Sequence, residues 1–530
     1  MATGSADGVA RAGVQVWTEG AVAWSNGNLT LSSSWTHAGG TFDISTATGK
    51  DGFVVGGGVF AADGASARLR KLGEAALVVA AEWDVRGEAS MEVNAGALVF
   101  VVAGNWSAGR VAVAAGARVI FQSGSWHLGA VSGNGTLSMA GGVVTAVVPA
   151  MGAGGALELS AGRLSLAGAG ATHGSMTVTG GLLSVGAATE IAGVFTHSGG
   201  TVVVATGVTL VLSGGGAMSG DLALGGNESI VAFQGGDFSV HAPATVSGTA
   251  GSAMAVKGSA SVELLVPVAP KLLTVAGDAV LMVNLSGAGA SSGLLMSPVS
   301  VSGAGRVSVV GNLTLMGALS VTQNASFSLA ASAVLVVHDG ASFATAGNVH
   351  FDENSTLDVL VGDVWVNRSG ISSLSRGPSL HSNTLASSST TSSYTFAGDV
   401  VVSGGSLNIE APILVPGGSW TVIGGTLQLL ASAVFNASLI MNPPGGILTV
   451  ATTHPGVAVS VTVAGFAQTK GFFSVGAGAT LAVDPGARTC FITASLLVDP
   501  AGNLVLPRSA CAQSPTAAPT AMPTQLVSRS

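Results

Sequence analysis

The sequence predicts an all-β fold: a right-handed, single-stranded parallel β-helix, or β-solenoid, with rungs of about 20 residues. Three observations predict it: a glycine corner that recurs along the chain, alternation of apolar and small polar residues between corners, and a shortage of charge. Of the 530 residues, 48% are hydrophobic, 8% are charged and 79 are glycine. Ordinary soluble domains are about 25% charged, so Ser, Thr, Asn, Gly and Ala must form most of this surface.

The glycine corner lies in a frame that reads apolar, three residues, a small residue, Gly, one residue, apolar. Glycine suits a tight corner because it adopts positive φ without a Cβ clash. Successive copies recur at nearly even steps: VFVVAGNW from Val99, VIFQSGSW from Val119, LSMAGGVV from Leu137, LELSAGRL from Leu157, MTVTGGLL from Met176 and FTHSGGTV from Phe195. We interpret WTHAGGTF from Trp35 and WTVIGGTL from Trp420 as the same corner of other rungs.

Between the corners, residues alternate with a period of two, as in TLVLSG from Thr209, and Val, Leu and Thr are frequent. That pattern predicts strands with one face buried. A break in every rung suits a chain that coils once per repeat and pairs each coil in parallel with the next. Right-handed crossover is the rule for parallel strands. We therefore expect one elongated solenoid domain.

Composition divides the chain into five parts. We expect a leader or cap at residues 1–20, solenoid at 21–369, a Ser/Thr-rich insertion loop at 370–395, further solenoid with a C-terminal cap at 396–511, and a disordered Pro/Thr-rich linker at 512–530. The insertion and the linker carry too few apolar residues to offset the entropy of ordering. No apolar core of about 7–15 residues marks a signal peptide, so the chain is expected to be a fragment or to reach its location by another route.

The Gly-Gly corners and alternating strands, for example SGGTVVVATGVTLVLSGGG from Ser198, resemble those of right-handed parallel β-helix proteins of the adhesin and autotransporter-passenger type. The resemblance extends over about residues 20–505. It implies the solenoid architecture and an adhesive or structural function outside the cell. It implies no particular site residue, because the repeat is a structural signature.

Asn-x-Ser/Thr sequons are the strongest functional signal. Ten of the 17 asparagines begin one: Asn28, Asn105, Asn134, Asn227, Asn284, Asn312, Asn324, Asn354, Asn367 and Asn436. Such sites predict N-glycosylation in a eukaryotic secretory pathway. The alternative is that strand alternation places Ser or Thr two residues after an outward Asn without any modification. Glycans would help so weakly charged a surface to stay soluble.

The only two cysteines, Cys490 and Cys511, lie just before the linker. We predict that they form one disulfide that fixes the last rung, provided that the chain is exported. The alternative is a pair of free buried thiols.

No strong catalytic motif occurs in the sequence, and we expect no catalytic residue, no metal ligand and no cofactor. Asp352 to Asn354, with Asp358 and Asp363, is the densest acidic segment, and we interpret it as surface loop. His37 and His197 occupy what we take to be the same repeat position, too many rungs apart to share a metal. Beside the corners stand four aromatic residues that we expect to fill the core rather than to stack on sugars: Trp106, Trp126, Phe195 and Trp420.

We expect no nucleic-acid partner, because the net charge is −8 and the densest basic group, Arg68, Arg70 and Lys71, is interpreted as a solvated loop. No apolar run reaches the ~20 residues of a membrane-spanning helix. The sequence thus favours an extracellular or cell-surface structural or adhesive rod that contacts surface glycans or other extracellular proteins. The alternative is a polysaccharide lyase or hydrolase, or a carbohydrate-binding β-helix, with a divergent site. Composition leaves the oligomeric state open.

Overall fold

Every regular element in the described part of the chain is a β-strand. The structure is a computed structural model. It describes all residues except 1, 5–7, 11–15, 26–28, 32, 46–51, 56–57, 148, 173, 286–292, 296, 316, 323, 331–332, 338–341, 346–347, 352–355, 360–362, 367–393, 397–398, 403–405, 410–412, 416–418, 423–425, 442–445, 453–457, 469–470, 484–489, 492–493, 506–510 and 513–530. Residues 370–393 of the predicted insertion loop and nearly all of the predicted linker lie outside the described residues. The last two residues assigned to the insertion belong to a strand instead, Tyr394–Phe396.

The chain divides into two compact units. Unit 1 comprises residues 1–255 and 260–262, and unit 2 comprises residues 256–259 and 263–530. Two strands contain residues of both units, β34 (Ala253–Val256) and β35 (Ser261–Leu264). Within each unit, the strands pair in parallel and form three ladders, which the chain visits in turn.

In unit 1 we name the ladders A, B and C. Ladder A contains β3 (Val16–Glu19), the first half of β6 (Trp35–Ile44), β8 (Val59–Ala62), β11 (Glu82–Val85), the first halves of β14 (Gly104–Val113) and β16 (Ser125–Gly133), β18 (Val143–Val147), β21 (Arg163–Gly168), β24 (Leu182–Val185), β27 (Thr201–Val204), β30 (Asp221–Leu224) and β33 (Thr245–Gly248). Ladder B contains β1 (Ala2–Gly4), β4 (Val22–Trp24), the second halves of β6, β14 and β16, β9 (Ala67–Lys71), β12 (Ser90–Val93) and β19 (Ala150–Met151). It continues in β22 (Gly170–Thr172), which contacts β19 without strand pairing, and in β25 (Thr189–Ile191), β28 (Thr209–Leu212) and β31 (Ile230–Phe233). Ladder C contains β2 (Gly8–Ala10), β5 (Leu29–Leu31), β7 (Gly52–Val55), β10 (Leu77–Val79), β13 (Ala97–Phe100), β15 (Arg118–Phe121), β17 (Thr136–Met139), β20 (Ala156–Leu159), β23 (Ser175–Val178), β26 (Phe195–His197), β29 (Gly216–Met218) and β32 (Asp237–Val240).

In unit 2 the ladders are D, E and F. Ladder D contains β36 (Leu272–Ala276), β39 (Val299–Ser302), β42 (Ala318–Val321), β45 (Ser342–Thr345), β48 (Asp363–Val366), β51 (Ser406–Ile409), β54 (Thr426–Leu429), β56 (Gly446–Val450), β58 (Gly471–Val475) and β61 (Ala494–Val498). Ladder E contains β37 (Val280–Asn284), β40 (Arg306–Val310), β43 (Ser326–Leu329), β46 (Asn348–Phe351), β49 (Tyr394–Phe396), β52 (Ile413–Val415), the first halves of β55 (Ala433–Met441) and β57 (Val459–Gln468), β59 (Ala479–Val483) and β62 (Asn503–Val505). Ladder F contains β38 (Gly293–Leu295), β41 (Asn312–Leu315), β44 (Val334–Val337), β47 (Thr356–Val359), β50 (Asp399–Val402), β53 (Ser419–Val422), the second halves of β55 and β57, β60 (Cys490–Phe491) and β63 (Cys511–Ala512).

The register of the strands confirms a β-solenoid with the short rungs that the sequence predicts. In ladder C, Leu157 pairs with Met176, and Met176 pairs with Phe195. The two steps along that column are equal in length, and the side chains are at most 1% exposed. Because residues of one parity face inward, their stacked side chains form the apolar interior of each unit.

Stacked glycines form the corner between ladders C and A. Gly142, Gly162, Gly181 and Gly200 have φ between +73° and +78°. A Cβ added to Gly162 would lie 2.4 Å from the carbonyl oxygen of Gly142 on the preceding coil. Both the left-handed backbone and the close approach of the coils therefore require glycine here.

The sequence indicated that the three copies of the aromatic corner motif occupy the same corner of different rungs. The structure shows that they do not. WTHAGGTF forms the bend inside β6, between ladders A and B. FTHSGGTVVV connects β26 of ladder C to β27 of ladder A. WTVIGGTL connects β53 of ladder F to β54 of ladder D in unit 2. The frame thus marks a corner in general, because different corners of a coil impose the same demand for a small residue followed by glycine.

Candidate functional site: outward asparagines and a charged band

The sequon asparagines whose side chains the structure describes point mostly to solvent. Five are exposed and Asn284 is half-buried; the exposed ones are Asn105, Asn134, Asn227, Asn324 and Asn436. Asn28, Asn354 and Asn367 lie outside the described residues, and for Asn312 only the backbone is described. A glycan on any of the five exposed side chains would extend into solvent without displacing the core.

The surroundings of these asparagines differ. Asn134 lies in the turn between β16 and β17, and the amide of Gly135 that follows donates to the Val113 carbonyl oxygen over 3.0 Å. Asn227 lies in the turn before β31, where the sequon hydroxyl of Ser229 is fully buried and donates to the Gly226 carbonyl oxygen over 2.7 Å. The Gly135 amide and the Ser229 hydroxyl are thus already engaged in hydrogen bonds in the folded chain. An enzyme that glycosylates these two sequons would therefore bind them most easily before the coil folds.

In unit 2, three sequons follow one edge. Asn284 ends β37, Asn312 begins β41 and Asn436 lies inside β55, and all three positions are at the corner between ladders E and F. Neither composition nor the regular step of the repeat indicates this alignment, because it depends on which of the three corners each sequon occupies.

The interpretation of the acidic segment as surface loop is wrong for both of its described aspartates, which lie in strands of two different ladders. Asp352 and Glu353 lie outside the described residues. Asp358 belongs to β47 of ladder F, where its backbone pairs with Val336 and Val401. Asp363 begins β48 of ladder D, where it pairs with Ser342. The described residues contain no group of three His, Cys, Asp or Glu side chains placed to hold a metal ion.

The two cysteines are register partners. β60 and β63 pair in parallel at the end of ladder F, with Cys490 opposite Cys511. Adjacent parallel strands lie about 4.8 Å apart, within the range of Cα separations that disulfides span. The structure describes only the backbone of these residues, so the disulfide remains a prediction.

The four aromatic residues expected in the core are buried. Trp106, Trp126, Phe195 and Trp420 are at most 1% exposed. Trp106 and Trp126 belong to an aromatic cluster in unit 1, in which the Phe100 ring lies 5.0 Å from Trp106 and 4.6 Å from Trp126 between centroids. These rings stabilise neighbouring coils and are closed to a sugar ligand.

His37 and His197 lie in different ladders, so they do not share a repeat position. His37 is fully buried in ladder A, and its Nδ1 lies 3.1 Å from the Thr18 hydroxyl. His197 is fully buried in ladder C, and its Nε2 lies 3.1 Å from the Gly200 carbonyl oxygen. Burial is the main cause that lowers the pKa of both imidazoles, opposed by backbone hydrogen bonds and, at His197, by Asp221. Both side chains are therefore structural, neutral core residues.

The basic group at residues 68–71 is not a solvated loop: it forms strand β9 of ladder B. Arg68 is exposed, whereas Arg70 forms a bidentate pair with Asp43, with N–O distances of 2.7 and 2.6 Å. Lys71 is fully buried and its ammonium donates to the Gly73 carbonyl oxygen. Strand alternation explains the difference, because residues 68 and 70 face outward and residue 71 faces the core.

Two outward columns cross ladder B at this point. In one, Arg68, Ser90 and Arg110 lie side by side on successive coils. In the other, Asp43, Arg70 and Glu92 alternate in charge. We call these six residues the charged band. The sequence does contain a signal for it, since six of the ten described basic residues fall between residues 68 and 118, but only the register shows which of them align.

Comparisons with protein-family models, with curated proteins and with solved structures returned no match for this chain. The described part contains no helix with the length and apolarity needed to cross a membrane.

Proposed function

We propose that this chain is an extracellular or cell-surface structural or adhesive protein whose outer surface carries N-glycans. The observation that carries the proposal is the outward direction of the sequons: five of the six described side chains are exposed, and none is fully buried. A solenoid supplies many stacked outward positions, and it allows a weakly charged surface to be covered by neutral hydrophilic groups.

The parallel β-solenoid supports a structural or adhesive function in a second way. Each coil contacts mainly its neighbours, so the outward residues can vary without loss of the fold. The outward positions of ladders A and C are mostly small or polar, as in the column Thr145, Ser165 and Ser184. Such a surface suits contact with glycans or other extracellular proteins over many successive coils.

Location is tested by staining intact and permeabilised cells of the source organism with an antibody raised against the purified protein. The proposal expects staining of intact cells, removed by brief protease treatment of the cell surface. A signal that appears only after permeabilisation would contradict it. An antibody against a cytosolic protein provides the control for membrane integrity.

A further inference from the structure

We infer that the charged band of unit 1 is a binding surface for a linear acidic polysaccharide, held by Arg68 and Arg110. Both residues are exposed, and they occupy the same outward column with Ser90 between them. At the spacing of parallel strands, two coils apart means about 9–10 Å between their Cα positions. A polymer that lies across the coils would meet both cations in succession.

The cations of this column are free to bind an external anion. Among the described residues, the ion pairs are Asp43–Arg70, Asp84–Arg86 and Glu158–Arg118. Arg68 and Arg110 belong to none of these pairs. Guanidinium groups present donors in a planar fork that matches carboxylate or sulfate oxygens. The column therefore offers two anion-binding groups without the loss of an existing ion pair.

The neighbouring column limits repulsion of the polymer. The carboxylate of Asp43 is engaged by two nitrogens of the Arg70 guanidinium, and Arg70 also interacts with Glu92. Glu92 is the carboxylate of the band that lies between Arg68 and Arg110 along the ladder. The negative charge of Glu92 repels an anionic polymer, so neutralising this side chain should strengthen binding of the polysaccharide.

The band lies on a rigid support. Beneath the column, Leu69, Met91 and Val111 are register partners and at most 2% exposed. Backbone pairing on both sides fixes the separation of the arginine Cα atoms, so only the side chains have to be ordered on binding. No other described column carries two exposed basic side chains outside ion pairs: Arg163 lies between Val143 and Leu182, and Arg306 between Val280 and Ser326.

A polysaccharide fits this column better than a nucleic acid. Single-stranded nucleic acids stack on aromatic side chains, and the column contains Thr41, Arg68, Ser90, Arg110 and Ala130. Duplex binding uses many phosphate contacts, whereas two cations on a chain of net charge −8 provide few. The choice of a polysaccharide also rests on the proposed extracellular function, where acidic glycans are available.

The test measures binding of the purified full chain to dextran sulfate and to uncharged dextran, which share a backbone. We expect binding to dextran sulfate alone, weakened by added salt. The double variant Arg68→Gln/Arg110→Gln should bind about tenfold more weakly, as expected for the loss of two exposed charge contacts. The matched control Arg163→Gln/Arg306→Gln should change the affinity less than about twofold. Glu92→Gln should increase it.

Equal affinity of the wild type and the Arg68/Arg110 variant would overturn the inference. So would tighter binding to duplex DNA than to dextran sulfate, lost in the same variant, since that result would assign the band to a nucleic acid. The outcomes separate the two proposals. Intracellular location with arginine-dependent dextran sulfate binding refutes the proposed function alone, and surface location with arginine-independent binding refutes this inference alone.

Discussion

At the residue scale, Gly104 allows the aromatic side chains of neighbouring coils to pack directly against a strand backbone. It lies in ladder A between Trp83 and Trp126. A Cβ at Gly104 would come within 2.2 Å of the Trp126 ring and 2.6 Å of the Trp83 carbonyl oxygen. The Trp83 carbonyl oxygen cannot move without disturbing the strand pairing. The Trp126 indole is fully buried, so it cannot swing aside to make room for the added methyl group.

We therefore expect Gly104→Ala to destabilise unit 1 by about 1–3 kcal/mol, the usual cost of overpacking a core. Gly154→Ala is the matched control, because Gly154 is exposed and its Cβ would make only ordinary contacts, 3.7 Å from the Asn134 Cβ. Thermal unfolding of the two variants provides the measurement. Equal midpoints would show that Trp126 does not lie over Gly104.

Lys71 is a buried cation in an apolar column, between Ile44 and Val93. Burial lowers its pKa, and Glu74 opposes the shift. The unfolded chain therefore holds the proton more tightly than the folded chain, so this side chain reduces stability at neutral pH and the reduction lessens as pH rises toward the ordinary lysine range.

Lys71→Met should stabilise the protein at neutral pH by at least about 1 kcal/mol, because it replaces an amine with an apolar group of similar length. The difference from wild type should shrink at alkaline pH. Urea unfolding at two pH values tests both statements. A less stable variant at neutral pH would mean that the bond to the Gly73 carbonyl outweighs desolvation.

His37 and His197 carry pKa values lowered by burial from the ordinary 6.5. The sign follows from linkage: the unfolded chain gains protons below about pH 6.5 while the folded chain resists them, so stability falls as the solution becomes acidic. His197→Leu should reduce the slope of stability against pH in that range, whatever its effect at neutral pH. An unchanged slope would show that the imidazole is protonated in the folded state.

At the scale of single residues, sequence patterns predicted the burial of Trp106 and Trp126 but not that of Lys71. An aromatic residue beside a glycine corner has one favourable place, in the core. A lysine at the end of a basic group is indistinguishable from a solvated one unless the parity of its strand is known. The segment RLRK places Arg68 and Arg70 outward and Lys71 inward only after the strand is registered against its neighbour β6.

At the scale of strands and corners, the end of ladder F is the most specific case. Cys490 and Cys511 are register partners on β60 and β63. Oxidation by a small disulfide, such as oxidised glutathione, would form the S–S bond and transfer two electrons and two protons to the oxidant. The loop closed in this way has about 20 residues, for which chain entropy predicts roughly 3 kcal/mol.

We expect the exported protein to contain no free thiol under denaturing conditions until a reductant is added. Reduction, or Cys511→Ser, should then lower the thermal midpoint. Cys511→Ser tested in reducing buffer is the control, because there it should match the reduced wild type. Two free thiols in the exported protein would refute the disulfide.

The repeat predicted strands and rung length correctly but not which corner a motif occupies. Gly40 and Gly200 both have positive φ, at +83° and +77°, yet one bends β6 and the other separates β26 from β27. Both corners need the same local chemistry, so local sequence cannot distinguish them. Only the pairing of each strand with its neighbours does, and that information is spread over residues a full rung apart.

At the scale of the molecule, the recurring corner and the alternation between corners predicted an all-β chain, and composition predicted a surface made of small and polar residues. The sequence reveals only part of the candidate functional surface. Sequons are visible in the sequence, but strand parity explains an outward direction only where the sequon lies in a strand, as at Asn105, whereas Asn134 and Asn227 lie in turns. The clustering of basic residues between 68 and 118 is visible too, but the alignment within the charged band is not, because Arg68 and Arg110 lie on different rungs and meet in one column through two steps of register.

Above all, we propose that the outer surface of this solenoid carries glycans outside the cell. The most direct test expresses the chain behind a signal peptide in a eukaryotic cell line and compares the intact mass of the secreted protein before and after enzymatic removal of N-glycans. We predict a loss of several glycan masses, with peptide mapping that places glycans among Asn105, Asn134, Asn227, Asn324 and Asn436. A folded, secreted product whose mass does not change would contradict this proposal and would reduce the sequons to strand alternation.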